Sequence, residues 1–528
     1  MIEFRKPPIP RHQITLWAER LDDAISCDHP VRLLEALFST PAFDEVLRGL
    51  EEAQRQWEGQ PGYSPRILGK VVLYCHVEKI RSSRRIAMAC MNRLDVKWLA
   101  EGQTPDYSTF TRFFNRHRKS VKKLLRATIE AARDAGMVTL EQVAVDGTFV
   151  EANASRNSVL ERDRIQAEKR LIDQVIEQMM KEHEQNDQRE DSVAREGGLI
   201  IGDDTQREDQ RKRAFEEKRQ RLMEAAEAIE RREQKSRRAD LPAPNPIASI
   251  TDPDSRHMKD KEHRRKPNYN VQMAVDTSHG IVVATEVTDE ANDMEQLAPM
   301  LEQIETQCGQ LPGEALFDAG YHTTRVVSEV EKKPTTLYVS DPDGKSYRTA
   351  AEARAVLAAG GSLSLEQIKA LPRDSRGLFQ RACFVYDEDT DTYRCPSGSV
   401  LTRDRRRTKT DRVGQVQGSE YATSACSACG LAPECTKSKS GRRILRTEFE
   451  EARMRMLERT SSPEGKKRSS LRSQTVEPRI GELKSVFGLR KFLRRGAEKV
   501  AAELDLVVTA MNLGKLIRNA RVREKIIA

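Results

Sequence analysis

Apolar positions recur at helical spacing through the first part of the chain. Leu33, Leu34, Leu37 and Phe38 share one helical face, and so do Leu68, Val71, Val72 and Cys75. A shorter helix is predicted around Ser83-Arg84-Arg85-Ile86-Ala87. The run Pro105-Asp106-Tyr107-Ser108 offers a helix start, because Asp or Ser can cap free backbone N–H groups. The helix beyond it turns Phe110, Phe113 and Phe114 inward and Arg112, Arg116 and Lys119 outward. A helix, a turn and a basic helix is compatible with a helix-turn-helix reader, and equally with a helical bundle that has a charged surface.

The period then changes. Val143 to Val150 reads as a buried strand in which small apolar residues lead into Asp146, with Gly147-Thr148 behind it. From about 158 to 240 the signs of charge interleave. Leu171, Val175 and Met179 recur at i, i+4, i+8, and Phe215, Leu222 and Ile229 every seven residues. Gly197-Gly198 and Gly202-Asp203-Asp204 break the pattern between the two halves. This predicts an antiparallel helical hairpin or coiled coil, or else a flexible stretch, closed by the linker Leu241-Pro242-Ala243-Pro244-Asn245-Pro246.

Strand character returns in Tyr269–Asp276, turns at Ser278-His279-Gly280 and runs back through Ile281–Val287. A helix from Met294 to about Gln307 follows, with Leu297, Met300, Leu301 and Ile304 on one face. Glu314-Ala315-Leu316-Phe317 then forms a strand that ends at Asp318, with Gly320 close behind. A Cys-bearing, loop-rich stretch over 336–464 precedes a helical, basic C-terminal part. There Pro478 favours a first helical turn, which puts Glu477 at a helix start.

Composition narrows the class. The chain has 528 residues, enough for several domains, and nothing approaches a membrane-spanning apolar run. Met1–Pro8 has no apolar stretch for a signal peptide, and nine Cys are no disulfide framework, so a reducing cytoplasm is expected. The net charge of +8 is unevenly held: the last 93 residues carry 24 basic and 11 acidic side chains. A second basic concentration spans Arg112 to Arg126. Either stretch alone reads as a solvated helical face. Two of them around an acidic middle favour a polyanionic partner.

Strand, hairpin, helix and strand, with Asp closing the first and the last strand, is the layout of a ribonuclease-H-like core. There the first and fourth strands are neighbours, so Asp146 and Asp318 would converge across 172 residues of sequence. Paired carboxylates suit Mg²⁺, a hard cation that prefers oxygen ligands. An Asp at a strand end is also commonly a turn or cap residue. The element order is what favours the catalytic reading.

Val145-Asp146-Gly147-Thr148, Ala152-Asn153-Ala154-Ser155, Tyr269-Asn270-Val271-Gln272, Phe317-Asp318-Ala319-Gly320-Tyr321-His322, and Thr475-Val476-Glu477-Pro478 with Phe487-Gly488-Leu489-Arg490 carry a resemblance. The chain resembles bacterial insertion-sequence transposases of the DDE type, in the subgroup with a helical N-terminal domain, a charged insertion and a Cys cluster. The resemblance implies a mixed α+β chain. A helical DNA-binding domain spans 1–138, and the core's first strand 139–157. A coiled-coil insertion covers 158–250, and core strands with the second Asp 251–335. A Cys-rich insertion covers 336–464, and C-terminal helices with the catalytic Glu 465–528.

It further implies that Asp146, Asp318 and Glu477 hold Mg²⁺ or Mn²⁺ for hydrolysis at element ends and strand transfer. The implied partners are terminal-repeat and target DNA, bound by a homodimer in the bacterial cytoplasm near the nucleoid. Related transposases often show Tyr-x2-Arg-x3-Glu-x6-Lys. Here Glu477 and Lys484 fit, whereas Ser470 replaces the Tyr, Ser473 stands at the Arg position and Arg472 lies one residue earlier. Glu482 is a rival acid without a matching Lys. Lys484, Arg472, Arg490, Lys491, Arg494 and Arg495, with Arg112, Arg116 and Lys119, are the expected DNA contacts. An inactive DNA-binding regulator derived from such an enzyme is the alternative.

Four of the nine cysteines cluster as Cys395-x30-Cys426-x2-Cys429-x5-Cys435. Four thiolates are enough for a tetrahedral structural zinc, and the alternative is reduced, unligated thiols. Cys75 and Cys90 suit apolar helix faces instead.

Overall fold

The computed structural model describes residues 20–52, 62–195, 205–238, 245–259, 264–411, 414–519 and 522. Met1–Pro8, both glycine breaks of the insertion and the first four residues of its closing linker lie outside the described residues. The chain divides into two units, Met1–Ala131 with Leu506–Ala528, and Ala132–Asp505. No helix among the described residues is long and apolar enough to cross a membrane.

The first unit is helical. Its elements are α1 (Pro30–Phe38), α2 (Pro41–Glu52), α3 (Pro65–Val77), α4 (Ser83–Asn92), α5 (Leu94–Leu99) and α6 (Tyr107–His117), followed by α7 (Val121–Asp134), in which the division falls. The apolar faces read from spacing are buried, including Leu34, Phe38, Leu68 and Cys75. Asp106 caps α6 by accepting from the Ser108 N–H. Phe110 and Phe114 point inward, while Arg112, Arg116 and Lys119 are exposed.

The second unit is built on a mixed sheet. Its strands are β1 (Gln142–Glu151), the short pair β2 (Val159–Glu161) and β3 (Ile247–Ser249), β4 (Arg256–Lys259), β5 (Arg265–Asp276), β6 (Val282–Thr288), β7 (Glu314–Phe317) and β8 (Thr336–Val339). β5 runs antiparallel between β1 and β6, β7 lies parallel to β1 on its other edge, and β8 is parallel to β7. β4 pairs with the start of β5, and β2 pairs with β3 in a separate two-stranded sheet.

Between β2 and β3 stand two long helices, α8 (Arg162–Arg195) and α9 (Thr205–Arg238), which run antiparallel. Arg162 meets Glu233, and Asp173 meets Arg219 at 2.5 Å. The stripe expected on α8 is corrected here. Leu171 and Val175 are exposed, and Ile165 and Ile172 are the buried residues, packed with Leu222, Ala225 and Ile229 of α9. A one-residue step rotates a helix by about 100°, so the isoleucines and the leucine cannot share a face.

The helix α10 (Leu297–Cys308) buries the four predicted residues Leu297, Met300, Leu301 and Ile304. After α11 (Thr324–Val330) and β8 come α12 (Gly344–Thr349), α13 (Ala351–Ala358) and α14 (Leu365–Ala370). The stretch read as loop-rich carries a second, antiparallel sheet: β9 (Val385–Asp387), β10 (Thr392–Arg394), β11 (Val400–Asp411), β12 (Gly414–Ala422) and β13 (Ile444–Thr447). It has its own core around Phe379, Phe384, Tyr393 and Tyr421. The short α15 (Ala432–Cys435) lies before β13. Then α16 (Glu450–Ser461), α17 (Pro463–Ser485) and α18 (Ala497–Leu516) complete the chain, with the second division inside α18.

Candidate active site

The parallel pairing of β1 and β7 brings two of the predicted acids together. Ala144 is opposite Leu316, and Asp146 and Asp318 each stand two residues beyond that pair. Neighbouring strands are about 4.8 Å apart, so the acids occupy matching positions on adjacent strands. Asp146 was expected to end its strand, but it lies in the middle of β1. Gly147 to Glu151 stay paired with β5, from Gln272 to Asn268, and hold the strand straight on. The element that stops is β7, at Phe317. Asp318 caps the turn beyond it by accepting from the Gly320 N–H at 2.8 Å.

Glu477 comes from α17, which packs across β1. The helix start expected at Pro478 is corrected as well. Ser462 accepts from the Gly465 N–H and Pro463 takes the first turn, so the helix is under way well before Glu477. Pro478 sits inside the helix, where it forgoes the bond to the carbonyl four residues back. Glu477 is exposed, whereas Glu482 is partly buried and paired with Arg479 at 2.5 Å.

Arg472 bridges the acids. Its Nη1 lies 3.0 Å from Asp146 Oδ2, and its Nη2 lies 3.8 Å from Glu477 Oε1. Two turns beyond Glu477 along the same helix, Lys484 Nζ donates to Thr148 Oγ1 at 2.5 Å. Asp146 and Thr148 share one face of β1, since they are two residues apart in a strand.

Asp318 is the electrostatically loaded member. Burial, followed by the charge of Asp146, pushes its carboxyl above the ordinary value. The Gly320 N–H and Arg472 oppose this, and Asp293 adds to it. Burial raises the Tyr321 hydroxyl well above its ordinary range, and the charges of Asp293, Asp146 and Asp318 all act in the same direction.

Asp293, which the sequence reading passed over, therefore belongs to this neighbourhood. Its Oδ1 accepts from Asn270 Nδ2 at 2.8 Å and Gln272 Nε2 at 2.6 Å. Gln272 Oε1 in turn accepts from the Tyr321 hydroxyl. A loop acid just ahead of a helix carries no sequence signal that separates it from a cap. Among the described residues, no three His, Cys, Asp or Glu side chains are gathered closely enough to bind a metal as they stand.

The expected DNA contacts are dispersed. Lys491 lies 3.5 Å from Glu151, Arg490 is exposed with its guanidinium 3.4 Å from Ser485, and Arg495 donates to the Asn153 carbonyl. Arg494 is the exception to the expected surface: it is half-buried, and burial lowers its pKa to about 10 against the pull of Glu503. Arg112, Arg116 and Lys119 belong to the helical unit. Cys395, Cys426, Cys429 and Cys435 line one small cleft together with Phe379, Phe384 and Leu401. Burial pushes the Cys435 thiol up to about 11; Arg442 opposes the rise and the other three cysteines add to it.

No curated protein and no solved structure matches the chain. Two family models do. The one described as Transposase domain (DUF772) matches residues 19–116, which hold α1 to most of α6. The one described as Transposase DDE domain matches residues 394–517, which hold the cysteine cluster, Arg472, Glu477 and Lys484. A match to a transposase domain towards each end of the chain indicates an insertion-sequence transposase of the DDE type.

Proposed function

We propose that this transposase hydrolyses a phosphodiester at the ends of its element and joins the freed 3′-OH to target DNA, using Asp146, Asp318 and Glu477. One observation carries the reading: acids from three distant parts of the chain are linked through Arg472 and through their charges. Asp146 and Glu477 share the Arg472 guanidinium, and the Asp146 charge acts directly on Asp318. The strand order β6-β5-β1-β7-β8, with only β5 antiparallel to β1 among its neighbours, supports a ribonuclease-H-like core.

The donor chemistry suits a divalent cation. The donor set is all oxygen, which suits Mg²⁺ or Mn²⁺, and the Arg472 guanidinium stands in for a positive charge between two of the acids. When bound, such ions activate the attacking oxygen and stabilise the leaving one. Asp146, Asp318 and Glu477 would hold them. Arg472, once released from Asp146, is a planar donor suited to a phosphate, and Lys484 beside Thr148 would neutralise the backbone near the scissile bond. The basic residues 436–528 give the affinity its salt dependence. Two element ends must meet in one complex, so the reading includes a homodimer on DNA.

End-labelled element DNA incubated with Mg²⁺ tests this. Nicked product with a 3′-OH is expected. DNA that is bound but left intact is the outcome of a regulator without catalysis, and contradicts the proposal.

The shared cleft of Cys395, Cys426, Cys429 and Cys435 supports a structural zinc. Elemental analysis of purified protein should give about one zinc per chain, and less than half of that for Cys429→Ser. Equal zinc in the variant contradicts this assignment. Chelation should lower the melting temperature of the wild type and leave that of the variant unchanged.

A further inference from the structure

Several motif residues around the acids have no part in the chemistry just described. Asn270 and Gln272 lie on β5, Gly147 follows Asp146, and Gly320 and Tyr321 follow Asp318. All five converge on Asp293.

Two amides hold one oxygen of Asp293, and Tyr321 fixes the second of those amides. Among the described residues no donor reaches Oδ2. The glycines make the room. A Cβ on Gly147 would stand 2.6 Å from Asp293 Oδ1, closer than real Cβ contacts come. A Cβ on Gly320 would stand 3.0 Å from Asp318 Oδ1 and 3.6 Å from Asp293 Oδ2. The open oxygen of Asp293 and the carboxylate of Asp318 thus border the same small space.

Gly147 and Gln272 are directly opposed in the antiparallel ladder, so their substituents share a face of the sheet. Asp146 points from the other face, towards α17. Asp293 therefore approaches the acids from behind β1, and no direct ligand position follows for it.

We propose that Asp293 is a positioning residue of the cation site that, from behind β1, adds negative charge beside Asp318. This rests on the reading of Asp146, Asp318 and Glu477 as the cation-binding acids. A like charge set close to Asp318 is unfavourable without a cation and favourable with one. A residue kept only for packing would behave the same in both states. Carboxylates that support metal ligands typically govern affinity by about 10–100-fold.

The test is Mn²⁺ binding by calorimetry on the full chain, paired with thermal melting in the absence of divalent ions. Asp293→Asn should bind Mn²⁺ about tenfold more weakly while melting no lower than the wild type without the ion. Asn270→Ala keeps the charge of Asp293 and removes one holding donor. It should show a smaller loss, and it serves if Asp293→Asn fails to fold. Unchanged Mn²⁺ affinity in both variants overturns the inference. So does a loss matched by a lower melting temperature without the ion, which marks a packing role. Asp318→Asn separates the two readings. Binding lost in that variant but retained in Asp293→Asn removes only the role of Asp293. Binding retained in both removes the cation site with it.

Discussion

Asp318→Asn should melt at a higher temperature than the wild type at neutral pH without divalent ions, and should lose cation-dependent DNA cleavage by roughly a thousandfold or more. Burial and the neighbouring Asp146 charge raise the Asp318 carboxyl above its ordinary 3.8. The folded state therefore binds this proton more tightly than the unfolded state does. Below the ordinary value both states are protonated and the residue costs nothing. As pH rises through the ordinary and then the raised value, stability falls, and the full penalty is present at neutral pH. Asn carries no charge, so its benefit appears at neutral pH, about 2 °C or more for a unit of this size, and vanishes in acid. Mg²⁺ should raise the melting temperature of the wild type and leave that of the variant unmoved. A variant that melts lower at neutral pH would show that Asp318 serves the fold instead.

The largest effect on stability is expected at Arg453. This residue of α16 is 7% exposed and donates to Asp341 at 2.8 and 3.2 Å, to Asp343 at 2.6 Å and to Glu450 at 3.3 Å. Burial alone would push the Asp341 carboxyl up, but the Arg453 bonds and charge outweigh it and hold the carboxyl below its ordinary value. That contribution is present above the unfolded pKa and is lost as pH falls through the folded one. Arg453→Met leaves two buried acids without this partner, and stripping one side of a buried pair costs about 3–5 kcal/mol. Denaturant unfolding followed in the second unit should show that loss; a change under about 1 kcal/mol contradicts it. Asp341 lies just past β8, and α16 leads into α17, so the variant should also cleave DNA more slowly.

The legible parts of this chain are those in which burial imposes a period. β5, β6, β7 and α10 were readable because each has a buried face. The parallel neighbours β1 and β7 followed from element order, and with them the approach of Asp146 to Asp318. The errors have local causes. Asp146 was expected to close its strand, but pairing of Gly147–Glu151 with β5 keeps the strand going. Pro478 looked like a helix start, although Ser462-Pro463 supplies a cap and a first-turn proline upstream. The strand β11 (VLTRDRRRTKTD) is polar on both faces, so no alternation announced it or its sheet. Asp293 was hidden for a different reason: its role depends on amides, a tyrosine and two glycines scattered from 147 to 321, which only the folded chain assembles.

The central claim is that three acids, brought together by β1, β7 and α17, form one cation-dependent site for cutting DNA. Single-turnover cleavage of element-end DNA in Mg²⁺, with wild type compared to Asp146→Asn, Asp318→Asn and Glu477→Gln of equal fold and equal DNA affinity, tests it most directly. The account predicts cleavage by the wild type and none detectable from any of the three variants. Cleavage at the wild-type rate by Asp146→Asn or Asp318→Asn would contradict it.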